Sequence, residues 1–350
     1  MKTAILLGEY LPKNIYSQIE RGEIPRPEYC YVADALSAEI ISYDDMSKSD
    51  RLAVRAARRI ADYTGLAAYA FLRRHDFDHF YFTGEDVSMR FAAMMAAALD
   101  FGRTTTLVHN AKHFTTKARL KLIPSKVWRH VICLCAEQER ILVQECGIPS
   151  EKVHRLYNWV DDRFYSPEFM SCANSSSYAF SCGREARDYD TLERAARSTP
   201  LEIRVLGSGW APHVGFQKHA DVSGRGGLRV INGNLSYRDL RTAYGAAAFT
   251  ITPLHPVSYA AGVTSIVEAM AMGKAIIASD TAGISDYLKP GISGIVVRPN
   301  DPVSLANAIQ KLNDDPALRA AMGSHNRKWV EEEMSSRAYA AKVAAICGAS

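Results

Sequence analysis

The segment AFTITPLHPVSYAAGVTSIVEAMAMGKAIIASDTAG, residues 248–283, decides the fold of this chain. Its apolar runs at 248–252 and 275–279 have the length and composition of buried strands. The Ala- and Met-rich run between them begins after Gly262 and has the length of a helix. Because two parallel strands need a long crossover connection, this strand–helix–strand pattern predicts a parallel sheet covered by helices.

The same alternation extends outward over almost the whole chain. Helical patterns fall at 51–69, 89–99, 137–146 and 324–347, and Gly273 and Gly323 are expected to end helical runs. The predicted strands form two series: 4–7, 36–41, 79–82, 105–108, 131–135 and 153–156, then 178–182, 201–206, 248–252, 275–279 and 294–297.

The alternation is interrupted once, at the end of the first series. A mixed stretch contains Pro167 and the run SCANSSS, residues 171–177, which is typical of a linker. We therefore predict two doubly wound, Rossmann-like α/β domains that face each other across a cleft, the usual place for a ligand. The domains are expected at 1–165 and 178–330, with a hinge at 166–177 and a C-terminal helical segment, 331–350, packing back on the first domain.

Composition excludes several classes of protein. The 350 residues are 47% hydrophobic and 23% charged, which is globular composition, and the net charge of +4 is too small for a general nucleic-acid binder. The apolar run that opens the chain is too short for a signal peptide, and no run reaches the length of a membrane span. We expect a cytoplasmic protein whose seven cysteines are reduced thiols.

The helix start after Gly262 is a candidate anion site. A glycine lets the backbone approach a ligand, and the N–H groups of Val263 and Thr264 would face an anion. Glu268 lies one turn further on the same helix face, where it could accept from ribose hydroxyls. The residues fit a nucleotide diphosphate, and they fit equally an ordinary capped helix with a surface glutamate.

Several motifs together resemble one family. The segment 255–283 is similar to the donor-binding signature of the family-four retaining glycosyltransferases, the group 1 type, which have the GT-B architecture of two Rossmann-like domains. The resemblance covers roughly residues 130–330. Its other motifs are Cys182-Gly183-Arg184 with Arg187-Asp188-Tyr189-Asp190-Thr191-Leu192, Leu206-Gly207-Ser208-Gly209, Asn158-Trp159-Val160-Asp161 with Phe164 and Pro167, Gly291-Ile292-Ser293-Gly294, and Asn300-Asp301-Pro302.

The resemblance implies roles for residues of the C-terminal domain. Arg184 matches the arginine that contacts the donor diphosphate, Arg187 fills the position of the partner lysine, and Glu268 matches the glutamate that contacts the ribose. The two arginines would stabilise charge on the departing diphosphate, with Gly183, Gly207, Gly262, Val263 and Thr264 forming the donor site. A second glutamate, which contacts the sugar in the family, should fall at Ala260. His255 and Ser258 are polar candidates nearby.

In the N-terminal half, which would bind the acceptor, two residues match the family. His109 follows a predicted buried strand, where the family often has a histidine facing the donor sugar and acceptor. Gly8 follows the first strand and resembles a glycine-bearing loop on the diphosphate side. The sequence His75-Asp76-Phe77-Asp78-His79 could suggest a metal site, but we expect none, and the resemblance implies chemistry without a metal or other cofactor.

The stretch 102–136 is basic and amphipathic. It carries no Asp or Glu, and Phe114, Leu120, Leu122, Ile123 and Trp128 interleave with its charges. We interpret the basic stretch at 103–129 as a contact for an anionic membrane surface or a phosphate-bearing acceptor, although a solvated basic face is the alternative. No nucleic-acid partner is expected. Its seven basic residues are Arg103, Lys112, Lys117, Arg119, Lys121, Lys126 and Arg129.

The hypothesis that unites these features is a retaining hexosyltransferase. It would move a sugar from a UDP- or GDP-sugar to a lipid, lipid-linked or glycan acceptor by a front-face reaction, with His109 positioning the sugar. It would be peripheral on the inner face of the cell membrane. Two alternatives stay open: a sugar-nucleotide epimerase of the same architecture, and a partner protein that binds nucleotide sugars without turnover, which Ala260 favours.

Overall fold

A computed structural model describes residues 1–170, 178–207, 227–231 and 233–348. The chain divides into two compact units. The first comprises Met1–Ser17, Arg26–Tyr157 and Ser336–Ser350, and the second comprises Gln18–Pro25 and Asn158–Ser335. Each unit is built on one six-stranded parallel sheet, which confirms the predicted α/β class.

The first sheet has the strand order β2-β1-β3-β4-β5-β6, so the order reverses next to β1. Its core is made by side chains that alternate along the strands. Leu6, Phe80 and Phe82 lie in the core shared with the helices of one face, whereas Tyr81 points to the other face. The strands are β1 (Thr3–Leu6), β2 (Glu39–Ile41), β3 (His79–Phe82), β4 (Thr104–Val108), β5 (Trp128–Cys133) and β6 (Val153–Arg155).

Helices cover both faces of this sheet. On the second face, the last helix of the chain packs on α2, and the hydroxyls of Tyr81 and Tyr339 are hydrogen-bonded at 2.9 Å. The helices that precede residue 157 are α1 (Ile15–Glu20), α2 (Glu28–Leu36), α3 (Tyr43–Ser47), α4 (Leu52–Arg58), α5 (Asp62–Leu72), α6 (Glu85–Ala97), α7 (Phe114–Leu122) and α8 (Ala136–Arg140).

The second sheet has the order β12-β11-β10-β7-β8-β9, which reverses between β7 and β10. β10 pairs in parallel with β7 on one side and with β11 on the other, as the crossover helices require. Its strands are β7 (Tyr178–Cys182), β8 (Glu202–Leu206), β9 (Leu228–Val230), β10 (Phe249–Thr252), β11 (Ile276–Ser279) and β12 (Gly294–Val297).

Six further α-helices follow residue 178 in the described part of the chain. Pro302 begins one of these helices, and the side chain of Asp301 caps it. The Asp301 carboxylate accepts from the Ser304 N–H at 2.9 Å. The helices are α9 (Tyr189–Ala196), α10 (Tyr237–Ala246), α11 (Val263–Ala271), α12 (Pro302–Asp314), α13 (Pro316–Trp329) and α14 (Ser336–Cys347).

The boundary between the units lies earlier than the hinge expected at 166–177, of which 171–177 lie outside the described residues. The chain enters the second unit at Asn158, whose backbone N–H donates to the Tyr287 hydroxyl at 2.8 Å. Arg327 then holds the carbonyls of Asp162 and Tyr165 at 3.1 and 2.9 Å. These bonds tie residues 158–165 to the second unit. The segment expected to pack back on the first domain, 331–350, returns there only from Ser336 onward.

Three predicted helices are interrupted. The 51–69 pattern is two helices, α4 and α5, and the 137–146 pattern ends in a π-helical turn. The prediction of a single helix at 324–347 is wrong. Ser335 is extended, with φ −64° and ψ 148°, and separates α14 from the helix before it. The strand expected at 36–41 is also shorter, since Leu36 ends α2, and β9 was not predicted.

Gly323 lies inside α13 instead of ending a helix, and its missing side chain lets that helix contact a turn. A Cβ at Gly323 would lie 2.0 Å from the carbonyl oxygen of Gly273. Glycine to alanine normally stabilises a helix interior by about 1 kcal/mol. Here we expect Gly323→Ala to destabilise the protein by about 2 kcal/mol, because the helix has to move away. Urea unfolding measures the change, and an unaltered or higher stability would contradict this packing.

Candidate functional site

The candidate site of the second unit lies where the strand order of its sheet reverses. In open parallel sheets, ligands bind beyond the carboxyl ends of the strands at this switch point. Here the two strands are β7 and β10, which are followed by loops at 183–188 and 253–262. Most of the residues carried over from the family resemblance lie in these loops or in α11, which begins after the second loop.

Backbone hydrogen bonds join the two loops. The N–H of Asp188 donates to the Pro253 carbonyl at 3.1 Å, and the N–H of His255 donates to the Ala186 carbonyl at 2.9 Å. Ala186 has a positive φ of 55°, which is unusual for a residue with a side chain. The loops therefore form one framework in which the residue between Ala186 and Asp188 is held from both sides.

That residue, Arg187, is a buried cation. Its Nε donates to the Cys182 carbonyl at 3.1 Å, Nη1 to the Glu185 carbonyl at 2.8 Å and Nη2 to the Ser265 hydroxyl at 3.0 Å. All three acceptors are neutral, and among the described residues no carboxylate forms a salt bridge with it. Buried charges in proteins are normally compensated by an opposite charge. The described residues thus provide no anion to compensate the charge of this guanidinium.

Two glycines make room for this guanidinium. A Cβ at Gly183 would lie 2.2 Å from the Arg187 Nη2 atom, and one at Gly262 would lie 3.3 Å from Nη1. Both glycines have positive φ, 113° and 82°, so the backbone also requires a residue without a side chain. The sequence singled out Gly262 for close approach of a ligand, and the family resemblance placed Gly183 in the donor site. The structure shows that each glycine also accommodates Arg187.

Helix α11 begins beside the same guanidinium. Gly262 is its N-cap and has no side chain to bond the N–H groups of the first turn, which leaves them as donors for an anion. Val263 is buried, while Thr264 is exposed and its hydroxyl accepts from the Asn158 side chain at 3.3 Å. The dipole of the nine-residue helix adds to the positive charge of Arg187.

Glu268, one turn into α11, is half-buried and contacts the buried side chains of Tyr244 and Cys182 through a polar network. Its Oε2 atom accepts from the Tyr244 hydroxyl at 2.8 Å, and that hydroxyl lies 2.8 Å from the Cys182 Sγ atom. Because the tyrosine proton is donated to the carboxylate, the thiol donates to the tyrosine oxygen. Burial raises the pKa of Glu268 to about 7, against the opposing effects of Tyr244, Tyr165 and Arg187.

Arg184 and Gly207 lie further out. Arg184 is exposed, and its guanidinium donates to the Asn234 side chain at 3.0 Å. A Cβ at Gly207 would lie 3.1 Å from the ring of Tyr189, whose hydroxyl donates to the Gly183 carbonyl at 2.6 Å. Gly207 thus supports the Gly183 loop through Tyr189. Ser208 and Gly209, which follow it in the predicted motif, lie outside the described residues.

The two candidates for the missing glutamate also follow β10. His255 is exposed, and its Nδ1 atom lies 4.0 Å from Oδ2 of the buried Asp188. Asp188 caps α9 through its other oxygen, which accepts from the Thr191 N–H at 3.0 Å. Ser258 and Ala260 are half-buried in the same loop. At 4.0 Å the contact between His255 and Asp188 is longer than a hydrogen bond.

In the first unit, His109 follows β4 as predicted. The carboxylate of Glu85 accepts from the His109 backbone N–H at 3.0 Å, and the imidazole Nε2 lies 3.0 Å from the Thr83 carbonyl. Since a carbonyl only accepts, Nε2 carries the proton, and Nδ1 is the acceptor of the neutral ring. Gly8 follows β1 at the switch point of its own sheet, where an added Cβ would lie 3.3 Å from the Val87 side chain.

The acidic pair before β3 has structural partners. Asp76 pairs with Arg73 at 3.0 Å, and Asp78 accepts from the Lys2 backbone N–H at 2.7 Å. His79 is buried and hydrogen-bonded to Thr105 at 2.9 Å. Within the described ranges no three His, Cys, Asp or Glu side chains are grouped so that they could hold a metal ion.

The residues of this site that the sequence did not reveal are Tyr244, Ser265 and Tyr165. Tyr244 lies on α10, 24 residues before Glu268, and Tyr165 precedes β7. No spacing rule links residues so far apart. Ser265 stands within the segment already singled out, but nothing in its type indicates that it bonds Arg187.

The two sheets, their strand orders and their flanking helices define a GT-B glycosyltransferase fold. A crystal structure of Alr3699/HepE from Anabaena in complex with UDP and glucose has the same architecture, with a TM-score of 0.70, 14% sequence identity and full coverage of both chains. Over residues 228–329 the chain matches the family model "Glycosyl transferases group 1".

Curated relatives match part of the chain. A D-inositol 3-phosphate glycosyltransferase from Streptomyces avermitilis is 31% identical over 135 residues, which are 37% of this chain and 28% of that protein. A GDP-mannose-dependent monoacylated alpha-(1-6)-phosphatidylinositol monomannoside mannosyltransferase from Corynebacterium glutamicum is 33% identical over 107 residues, 29% of this chain and 28% of that protein. The matched region thus spans less than a third of the length of either relative.

Proposed function

We propose that this protein is a retaining hexosyltransferase that uses a UDP- or GDP-sugar. The observation that carries the proposal is Arg187, a buried guanidinium without a carboxylate partner in the described structure, beside the N-terminus of α11. A diphosphate is the anion that best fits a cation and a row of N–H donors together. The matching family and the HepE structure, which contains UDP and glucose, support this choice.

The proposed reaction occurs on one face of the sugar. The bond from the anomeric carbon to the diphosphate breaks while the bond to the acceptor oxygen forms on the same side. The acceptor proton passes to the departing diphosphate. Arg184, Arg187 and the first N–H groups of α11 stabilise the charge that develops on the diphosphate, without a metal ion. His109 positions the sugar, and Glu268 accepts from the ribose with the carboxylate oxygen that Tyr244 does not occupy.

The proposed acceptor is a lipid, a lipid-linked glycan or a glycan. The two relatives are named for an inositol phosphate and for a phosphatidylinositol mannoside, which supports an anionic acceptor for this protein. In the described part of the chain, no helix has the length and apolar character needed to cross a membrane. We propose that the protein is cytoplasmic and associates peripherally with the inner face of the cell membrane.

Thermal unfolding in the presence of UDP, GDP, ADP and CDP tests the donor site. A diphosphate that binds only the folded state adds about 2.7 kcal/mol at 100 times its dissociation constant, so the melting temperature should rise by several degrees. We expect UDP or GDP to give this rise, EDTA to leave it unchanged, and uridine or guanosine to give none. Stabilisation by the nucleosides alone, or by no diphosphate, would contradict the proposal.

A second candidate function is that of a partner protein that binds nucleotide sugars without turnover. Ala260 favours it, because this residue stands where the resembled family has a sugar-contacting glutamate. Incubation with UDP- and GDP-hexoses and a panel of lipid and glycan acceptors separates the two functions. Transfer, or slow hydrolysis of the bound donor, supports the enzyme, and NMR of the product's anomeric centre tests retention. Tight binding with neither reaction supports the partner protein.

A further inference from the structure

Two segments of the first unit share an unusual pattern. LAVRAARRI, residues 52–60, and FTTKARLKL, residues 114–122, both have apolar residues at their first and ninth positions. Both have a basic residue at the fourth and eighth positions and alanine at the fifth. In a helix these five positions lie on one face. The first segment is α4 with its C-terminal turn, and the second is α7.

In both helices this face points to solvent. Leu52 and Ile60 are each 79% exposed, and Phe114 and Leu122 are each 82% exposed. Apolar side chains on the outer face of a surface helix reverse the ordinary amphipathic arrangement. The folding of the unit therefore gives no reason for four large apolar residues at these positions.

The inner faces of the two helices pack on the same core. Val54 of α4 and Leu120 of α7 are buried in the core that covers one face of the first sheet. The helices α5 and α6 connect them, since α4 packs on α5, α5 on α6 and α6 on α7. Because both helices turn their inner faces to one core, their exposed faces belong to one helical layer.

This layer is strongly basic. Arg58 and Lys117 pair with Asp62 and Glu145. Within the described residues, no carboxylate pairs with the remaining cations of the two segments, which are Arg55, Arg59, Arg119 and Lys121. Burial, together with the charge of Arg119, lowers the pKa of Arg90 on α6, which stacks on the Tyr63 ring at 3.8 Å. The surface thus carries an excess of positive charge that an anionic partner would relieve.

The basic stretch predicted at 103–129 is only partly available for such a partner. Arg103 pairs with Asp100 and donates to the carbonyls of Arg74 and Phe77. Arg129 donates to the Cys347 carbonyl at the end of α14. These two cations have structural partners, whereas α4, which lies outside the predicted stretch, supplies equivalent exposed residues.

We propose that the exposed faces of α4 and α7, the two-helix surface, dock on the surface of an anionic lipid bilayer. The apolar pairs would enter the boundary between headgroups and acyl chains, and the flanking Arg and Lys side chains would meet acidic headgroups. A nucleic acid would use the cations but leave Leu52, Ile60, Phe114 and Leu122 without a role. This inference deepens the membrane association proposed above and rests on that part of the proposed function. It is independent of the donor chemistry and stands even if the protein transfers no sugar.

Flotation with phosphatidylcholine vesicles, with and without phosphatidylglycerol, tests the two-helix surface. We expect the full chain to float only with phosphatidylglycerol and to be released by salt. Leu52→Ser/Ile60→Ser and Phe114→Ser/Leu122→Ser should each weaken binding about tenfold or more, and together they should abolish it. The matched control is Ile292→Ser/Val303→Ser, which removes two exposed apolar residues of the second unit, 53% and 69% exposed.

Three results would overturn the inference: no flotation of the wild type, equal flotation on neutral vesicles, or full binding by the combined variant. Displacement by duplex DNA with unchanged binding by the serine variants would show a nucleic-acid surface instead. Arg55→Gln/Lys121→Gln provides a second test if a serine pair lowers the melting temperature. The nucleotide-diphosphate melting shift, measured on the same variants, reports the donor site independently, so the two proposals can fail separately.

Discussion

The Gly183→Ala variant is expected to lose nucleotide-diphosphate binding by about a hundredfold or more. The new Cβ would lie 2.2 Å from Nη2 and 2.6 Å from Cζ of Arg187, so the buried guanidinium has to leave its position. It then gives up hydrogen bonds from a charged group, which contribute about 1.5–3 kcal/mol each. Titration calorimetry with UDP and GDP measures the loss, and urea unfolding measures the accompanying destabilisation.

Gly291→Ala is the matched control for this change. Gly291 also has a positive φ, 78°, but an added Cβ there would meet no atom within 4 Å. Both variants therefore carry the backbone strain of a side chain in the left-handed region, about 1–2 kcal/mol, and only one displaces Arg187. If the two variants bind a diphosphate equally well, Arg187 does not hold it. If both lose binding, the loss comes from global destabilisation, which the unfolding curves will show.

The alternation of strands and crossovers could be predicted because each strand is a short apolar run. The strands 79–82, 178–182 and 294–297 have the predicted bounds. β9, Leu228–Val230, has only three residues and is half exposed, so its pattern carries no signal above that of a loop. Edge strands are seldom marked by a continuous apolar run, because only one side of them is covered.

The broken helices could not be predicted because no proline or glycine marks the breaks. Between α4 and α5 the sequence is Arg59-Ile60-Ala61, and every residue there is compatible with a helix. Tertiary packing makes the break. A Cβ at Gly65 would lie 3.1 Å from the Arg58 Cα atom, so α5 folds back against α4 at very close range. Packing of this kind overrides the local preference for one continuous helix.

For the candidate site, the sequence indicates residue types and the structure determines their environment. Arg187 was expected to contact a diphosphate, but its residue type does not predict burial, because arginines are seldom fully buried. Its burial follows from the two glycines and from the bonds between the loops after β7 and β10. Glu268 was expected on the helix face of Thr264, either as a ribose contact or as a surface glutamate. Its contact with Tyr244 joins α10 to α11, the two helices that precede and follow β10 in the sequence.

The half-buried carboxyl group of Glu268 leads to the second large expected effect, on stability as a function of pH. Its pKa is raised to about 7, whereas an unfolded glutamate titrates near pH 4.3. Between these values the folded state binds more protons than the unfolded state, so stability falls as the pH rises. The contribution of this group should be complete below about pH 4 and lost above about pH 7, a change of about 4 kcal/mol.

Glu268→Gln removes this dependence while its side-chain oxygen still accepts from Tyr244. We therefore expect the variant to gain stability relative to the wild type as the pH rises, with the difference developing between about pH 4.5 and 7. Urea unfolding at a series of pH values measures it, and the exposed Glu332→Gln is the control. Parallel curves for wild type and Glu268→Gln would show that the carboxyl group is not buried as described.

Ligand binding should have the opposite dependence. A carboxylate accepts from a ribose hydroxyl better than a protonated carboxyl group does, so nucleotide-diphosphate affinity should increase through the range in which the wild type loses stability. In Glu268→Gln that increase should disappear. The two opposite slopes follow from one group. Burial disfavours the ionised form of Glu268 in the free protein, whereas a bound ribose hydroxyl favours that form. A wild-type affinity that is flat from pH 5 to 8 would separate the stability role of Glu268 from donor binding and leave Arg187 as the residue that carries the site.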